Sequence, residues 1–284
     1  MDKTAPFPSD LPRYVRTPRK GALGISQSVW RWIIIMIVLV LMASAARLAE
    51  VDLGRLAENA PRIGMWVGRI FPPYDGFRNP PTTEEFNDYL LNALTTVAIA
   101  TIGTGTAAVL ALIPAVFATR TLTKSNLIFY PTRWFLNTLR GIDSFIFAIF
   151  FVAAVGLGPF AGVLGVAFHT WGSLAKLYAE NLENTELAPM MALESSGVSR
   201  PRAIIYALLP DAMPSFISTS LYIWEVNVRL SVALGVVGAG GIGQDVKNAI
   251  DLLNFPHLGA LLLIILVMVT IIDQISTRLR AMIR

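Results

Sequence analysis

The hydrophobic residues of this chain gather in long runs that lack charged residues, and such runs predict helices that cross a membrane. A bilayer core about 30 Å thick needs about 20 apolar residues in each helix. The runs that reach or approach this length lie at 32–46 with an extension back to residue 27, 90–119, 136–155, 160–178, 213–234 and 255–275. The pattern therefore predicts an all-α membrane protein of about six transmembrane helices.

The third and fourth runs belong to one stretch, 144–175, that contains no Asp, Glu, Lys or Arg. The stretch is too long for a single helix. Its Gly-Leu-Gly-Pro sequence at 156–159 divides it, because glycine and proline mark a tight turn between two spans. The fifth run differs from the others in containing both Glu225 and Arg229.

The segments around these runs indicate which side of the membrane they face, because lysine and arginine are enriched in cytoplasmic loops. With a cytoplasmic N-terminus, the inner segments hold 16 of these residues and the outer segments hold 7. We therefore expect the segment 1–31 and the tail 276–284 in the cytoplasm, flanking a membrane domain at 32–275. The start also resembles a signal peptide, but its basic region of roughly 30 residues is too long, so we expect no cleavage.

The outer segment at 47–85 contains a predicted helix at 53–71. Leu56, Ile63 and Trp66 recur in it at helical spacing and give the helix one apolar face. A helix of this kind can lie in the membrane interface. It can equally pack on the outer ends of the helix bundle, and the sequence leaves both positions open.

Composition supports the membrane class and excludes several others. Hydrophobic residues make up 54% of the 284 residues and charged residues only 15%, against about 25% charged residues in an average soluble domain. The mean hydropathy is +0.59. This balance excludes a disordered chain, a basic nucleic-acid module and most cytosolic enzymes. The chain has no cysteine and two histidines, so we expect no disulfide, no thiol catalysis and no metal site.

A glycine-rich segment follows the fifth run. Gly238, Gly240, Gly241 and Gly243 satisfy the G-x-G-x-x-G pattern of dinucleotide sites. The pattern here follows a membrane span, lacks a surrounding βαβ unit and has no acidic residue about 20 positions on, which that site requires. We interpret it as a flexible turn at the outer mouth of helix five, a gate loop. The sequence contains no P-loop motif, so this chain cannot hydrolyse ATP by that route.

The cytoplasmic insertion between the fourth and fifth runs carries a recognisable motif. Its centre resembles the signature of ABC-importer permeases, E-A-A-x-x-x-G with a proline thirteen positions after the glycine. Met191 stands at the glutamate position, and Glu194, one turn later, is the candidate for its role. The resemblance implies that 187–207 forms two short helices that dock on an ATPase subunit. The residues it assigns to this coupling are Met191, Ala192, Glu194, Gly197 and Pro210.

Further motifs narrow the resemblance. The hairpin at 151–164, the pair His169-Thr170, and the charged element at 225–229 followed by the glycine loop are similar to phosphonate importer permeases, a branch that includes permeases for phosphite and hypophosphite. The similarity covers roughly 85–280. It implies a type I ABC-importer permease fold in a bacterial inner membrane.

The same resemblance implies partners. Two ATPase subunits, a second permease subunit that is identical or homologous, and an external substrate-binding protein are expected. ATP and Mg would bind on the ATPase subunits, and this chain itself would bind no cofactor and catalyse no reaction.

Ionisable and polar residues within the spans are candidates for the translocation pathway, because they are costly in a membrane. They are His169, Glu225, Asn227 and Arg229. Glu225 and Arg229 lie four apart and can pair on one helix face. An arginine suits phosphoryl oxygens, so the pair can serve an oxyanion path, hold helices together, or both. His169 is expected to be a hydrogen-bonded packing residue.

Three alternatives compete with this interpretation. An intramembrane enzyme would need a nucleophile and a base at one depth, and the sequence offers none. A channel or secondary transporter would work without an ATPase. A methionine-type permease has a similar glycine loop, but the charged element Glu225-x-Asn227-x-Arg229 argues against it.

Overall fold

A computed structural model of the chain describes residues 27–70 and 81–283, and within these ranges all regular structure is helical. The helices are α1 (Gln27–Leu48), α2 (Leu53–Ile70), α3 (Thr83–Ala118), α4 (Asn126–Gly141), α5 (Ser144–Val155), α6 (Pro159–Asn184), α7 (Ala188–Ser195), α8 (Arg200–Ala203), α9 (Leu209–Gly235), α10 (Ile242–Asp251) and α11 (Phe255–Ile283). The prediction of an all-α fold is confirmed. Most of the predicted segment 1–31 lies outside the described residues, and the absence of signal cleavage stays a prediction.

The chain divides into two compact units, Met1–Gly64 and Met65–Arg284. Within the described part, the first unit holds α1 and the beginning of α2. Helix α1 starts at Gln27, as the backward extension of the first run predicts. The second unit holds the remaining helices and the core of the protein.

Helices α3, α6 and α9 form the centre of the second unit, and small residues bring their backbones together. A Cβ atom added at Gly103 of α3 would lie 2.8 Å from Val166 Cγ1 of α6. One added at Gly165 would lie 2.9 Å from the Ala148 Cα atom of α5. Small residues at helix interfaces are typical of membrane proteins, where close packing drives association.

The predicted count of six spans is not confirmed by length and composition. Helices α1, α3 and α11 and the continuous helix Arg200–Gly235 are long and apolar enough to cross a membrane, and α4 with α5 forms a fifth, bent candidate. The difference lies in α6, which has 26 residues, eleven of them buried. Helix α6 packs against α3, α4, α5 and α9. Such packing favours small residues over large apolar ones, which lowers the mean hydropathy of the helix.

The single third span predicted at 136–155 is corrected to two helices, α4 and α5, whose axes differ by 82°. The chain breaks at Ile142 and Asp143. The Asp143 carboxylate accepts a hydrogen bond of 2.8 Å from the backbone N–H of Phe145, which caps the start of α5. The charge-free run that begins at Ser144 gives no sign of this break, because the capping residue Asp143 lies directly before it.

Two other boundaries extend beyond their predicted runs. A π-helical turn at Ile204–Leu208 joins α8 to α9, so the fifth span starts within the predicted coupling segment. Helix α11 continues to Ile283, and the predicted tail at 276–284 is therefore helical in its described part.

Candidate translocation site

Four charged side chains meet between α9 and α11, and we name Glu225, Arg229, Asp273 and Arg280 the charged quartet. One Glu225 carboxylate oxygen pairs with the Arg229 guanidinium, and the other accepts a hydrogen bond of 3.0 Å from Arg280 Nη2. Arg229 Nη2 also lies 3.8 Å from an Asp273 oxygen. The two acids and two bases balance, so the quartet as a whole is neutral.

Glu225 is the buried member of the quartet, with 8% of its side chain exposed, whereas Arg229 is 49% exposed. A buried carboxylate is tolerated only when it is paired and hydrogen-bonded. The guanidinium groups of Arg229 and Arg280 meet that requirement, because each pairs with a different carboxylate oxygen of Glu225. The quartet therefore ties α11 to α9 and fixes the position of both arginines.

A second polar group lies on another face of α9, two residues from Glu225. Asn227 is 2% exposed, and its amide donates to Thr104 Oγ1 of α3 at 2.8 Å and to Thr170 Oγ1 of α6 at 2.9 Å. Both N–H groups are thus used within the protein, and the amide joins three helices in the core. This geometry supports a packing role for Asn227 more than a direct contact with a solute.

His169 lies next to Thr170 but faces the break between α4 and α5. Its Nδ1 atom lies 2.8 Å from the Ile142 carbonyl oxygen, to which Nδ1–H donates. Ile142 is the last residue before the Asp143 cap, so its carbonyl has no continuing helix to bond. The histidine satisfies that carbonyl, and it is not brought together with the charged quartet.

The glycine loop is packed against the N-terminal parts of α3 and α6. Gly238, Gly240 and Gly241 have φ angles of 89°, 77° and 76°, a region that favours glycine. A Cβ atom on Gly241 would overlap the Thr96 hydroxyl, which accepts a hydrogen bond of 2.9 Å from Ile242 N–H. Gly243 equally lacks room for a side chain, against Val232. These glycines permit close packing of the loop, and the role of the loop as a flexible gate stays a prediction.

Helix α10 continues from this loop and is held by one half-buried acid, Asp245. Asn92 Nδ2 donates to Asp245 Oδ2 at 2.7 Å. Burial raises the pKa of Asp245, the hydrogen bond from Asn92 lowers it, and nearby Asp88 raises it further. The net effect is a raised pKa.

The predicted coupling segment forms α7, a turn and α8. Gly197 lies in the turn with φ of 88°, and a Cβ atom added to it would have open space around it. Met191 is 53% exposed on α7. Glu194 turns toward Arg200, with 3.8 Å between Oε1 and Nε, and those two atoms are buried without a hydrogen bond among the described residues. Pro210 is exposed in the first turn of α9.

Comparison with known proteins now identifies the chain. A family model described as binding-protein-dependent transport system inner membrane component matches residues 109–284, more than half of the sequence. This chain belongs to that family. Such permeases are the membrane subunits of ABC transporters, act together with an ATPase and other subunits, and are not themselves enzymes.

Two relatives from Stutzerimonas stutzeri resemble the permease over most of its length. The permease HtxC, whose name assigns it to phosphite transport, is 41% identical over 248 residues, which are 87% of this chain and 85% of HtxC. The phosphite transport system permease protein PtxC is 34% identical and covers 81% of this chain and 80% of its own.

A solved structure shows the same fold. The methionine ABC transporter MetNI in an inward-facing conformation aligns with a TM-score of 0.63 at 18% identity, covering 72% of this permease and all of the matched chain. The expected type I ABC-importer permease fold is confirmed by this likeness, which at such low identity concerns the fold alone.

Sequence reasoning missed two members of the quartet. Asp273 lies within the predicted sixth span and qualified as a costly charge in a membrane. Arg280 was assigned to a cytoplasmic tail. The spacing of 273 and 280 is seven residues, two helical turns, which places both on one face of a continued helix. The seven-residue spacing was the sequence feature that could have predicted that Asp273 and Arg280 lie near each other.

Proposed function

We propose that this permease moves phosphite or a related phosphorus oxyanion into the cytoplasm. The observation that supports the substrate class is the similarity, at 41% and 34% identity over about four-fifths or more of both chains, to permeases named for phosphite transport. Phosphonate and hypophosphite share the same tetrahedral phosphoryl oxygens and fall within the proposal.

The proposed assembly follows the family. Two ATPase subunits bind ATP and Mg, a second permease subunit completes the membrane part, and an external binding protein delivers the anion. We place the assembly in a bacterial inner membrane with residues 1–31 and 276–284 in the cytoplasm. Helix α2 and the glycine loop then lie on the outer side.

The described geometry supports separate roles for α7, which docks on the ATPase, and α9, which lines the pathway. The exposed face of α7 with Met191 and Ala192, and the turn at Gly197, dock on the ATPase. The movement passes through α8 into α9, because these helices form one continuous element, Arg200–Gly235. Helix α9 carries Glu225, Asn227 and Arg229, so one continuous helix links docking to the pathway. The glycine loop at its outer end gates the pathway.

Uptake of radiolabelled anion tests the proposal. The permease is expressed with its ATPase and binding protein in cells that lack other phosphite uptake, beside a control with an ATPase that cannot hydrolyse ATP. Phosphite uptake that requires ATP hydrolysis, with unlabelled phosphonate or hypophosphite as competitors, is expected. Uptake of methionine but not of phosphite would overturn the substrate class, and uptake that persists with the inactive ATPase would overturn the mechanism.

A further inference from the structure

A cavity of about 520 Å³ opens between α6, α9 and α11. Its volume lies within the range of small-ligand pockets, about 300–1,000 Å³. The polar residues that line it are Ser218, Thr219, Tyr222, Thr277 and Arg280. It lies near the C-terminal ends of α6 and α11 and the N-terminal half of α9, which the proposed topology places on the cytoplasmic side. Glu225 and Arg229 are not among its lining residues in the described part of the chain.

The hydroxyl groups that line the cavity are available as donors. Thr219 Oγ1 accepts a hydrogen bond of 3.0 Å from Asn181 Nδ2, and Thr277 Oγ1 accepts one of 3.3 Å from Arg280. A hydroxyl that accepts a hydrogen bond keeps its own proton to donate. Across residues 27–70 and 81–283, the hydroxyls of Ser218 and Tyr222 have no hydrogen-bond partner.

Arg280 supplies positive charge at the cavity wall. Its Nε–H donates to the Ser276 carbonyl at 3.3 Å, and Nη2 donates to Glu225 at 3.0 Å and to Thr277. Of its five N–H donors, the two on Nη1 have no partner within the described residues. Arg229 also has N–H groups without a hydrogen-bond partner among the described residues, but it pairs with Glu225 and Asp273 and does not line this cavity. The cation at the cavity wall is therefore Arg280.

We infer that this cavity is a binding site for the transported oxyanion at the cytoplasmic end of the pathway. Arg280 contributes the charge and two N–H donors, the four hydroxyls contribute hydrogen bonds, and Glu225 fixes the guanidinium in place. Charge-assisted hydrogen bonds from several donors suit the oxygens of a phosphorus oxyanion. The identity of the anion and the direction of transport rest on the proposed function, whereas the preference for anions does not.

Thiol modification tests the site without relying on transport, because the chain has no native cysteine. The assembled transporter carrying Thr277→Cys is placed in phosphatidylcholine vesicles and treated with methanethiosulfonate reagents of opposite charge. The anionic-to-cationic rate ratio is expected to exceed the ratio for a small free thiol about tenfold, because Arg280 lines the cavity whereas the Glu225 carboxylate that balances its charge does not. The excess should vanish with Arg280→Gln and persist with Arg280→Lys.

Protection experiments distinguish the source of the anion. Phosphite should slow modification of Thr277→Cys in phosphatidylcholine vesicles. If only added phosphatidylglycerol slows it, the site binds lipid headgroups and the inference fails. A ratio equal to that of the free thiol, or no reaction with either reagent, would also overturn the inference, since an anion site on the pathway must admit water-soluble anions.

Uptake supplies the second measurement, in a variant that leaves the charged quartet intact. Tyr222→Phe removes one donor and is expected to lower phosphite uptake about tenfold, while Tyr130→Phe, an exposed tyrosine on α4, should leave uptake unchanged. Equal uptake by both variants would contradict the site. Wild-type protein that shows the anion preference but takes up no phosphorus oxyanion would instead contradict the proposed function.

Discussion

Glu225 joins two arginines from different helices, and this arrangement changes what a charge swap can show. Exchanging Glu225 and Arg229 would conserve charge if they formed an isolated pair. In the quartet, an arginine at 225 would face Arg280, and a glutamate at 229 would face Asp273. The exchanged protein is therefore expected to be unstable even if the quartet has only a structural role, so single isosteric changes are more informative.

Comparing Glu225→Gln with Asp273→Asn tests how the quartet is held together. Removing the Glu225 charge leaves two arginines without their shared partner, and breaking a buried ion pair costs about 3–5 kcal/mol. Asp273 is 53% exposed and contacts Arg229 only at 3.8 Å, so its loss should cost at most about 1 kcal/mol.

Thermal unfolding of the detergent-solubilised transporter measures this difference. The midpoint should fall clearly for Glu225→Gln and little for Asp273→Asn. Equal midpoints for the two variants would show that Glu225 does not hold α9 and α11 together.

At the scale of elements, the backbone conformation of the turn between α7 and α8 sets the position of the predicted docking helix α7. Gly197 has φ of 88° and nothing within contact distance of an added Cβ atom. A side chain at this position is therefore strained by its backbone conformation alone. Substitutions in this turn can therefore distinguish the effect of backbone strain from the effect of an added charge.

Gly197→Asp is expected to abolish uptake while the protein still inserts in the membrane, because the strained turn displaces α7 from the ATPase. Ser199→Asp is the matched control. It adds the same charge two residues away, at the N-cap of α8, where the backbone is extended and aspartate is favoured. Uptake and co-purification of the ATPase are measured for both.

Loss of uptake in Gly197→Asp alone supports the coupling segment. Loss in both variants would assign the effect to charge, and retention of transport and ATPase binding by Gly197→Asp would remove the coupling role from 187–207.

At the scale of the whole molecule, the direction of every span follows from the position of the N-terminus. The sequence has no cysteine, so single cysteines report sidedness without background. Asn184→Cys at the end of α6 should react with a membrane-impermeant thiol reagent only from the cytoplasmic side. Leu252→Cys, 78% exposed between α10 and α11, should react only from outside. The opposite pattern at both positions would invert the topology, and labelling of both from one side would contradict the arrangement of α9 and α10.

Much of the fold follows from local sequence pattern. The limits of α1 and α2 and the start of α6 lie within a few residues of the predicted helices, because apolar length and periodicity are local properties. Helix α6 continues to Asn184, six residues beyond its predicted end at 178. The turn at Gly197 follows from one residue type at one spacing. The break at Ile142 escaped prediction because Asp143 caps a helix whose apolar run looks continuous with the residues before it.

The sequence by itself determined the membrane class, the helical fold and the permease family, since composition, run length and short motifs carry them. Only the tertiary structure decided which polar groups meet. Arg280 reaches Glu225 across 55 residues, and Asn227 reaches Thr104 across 123. Such pairs depend on how helices rotate and align against one another, and in this permease close contacts between small residues of α3, α5 and α6 set that alignment. A hydrophobic pattern records where a helix lies but not which of its faces meets a neighbour.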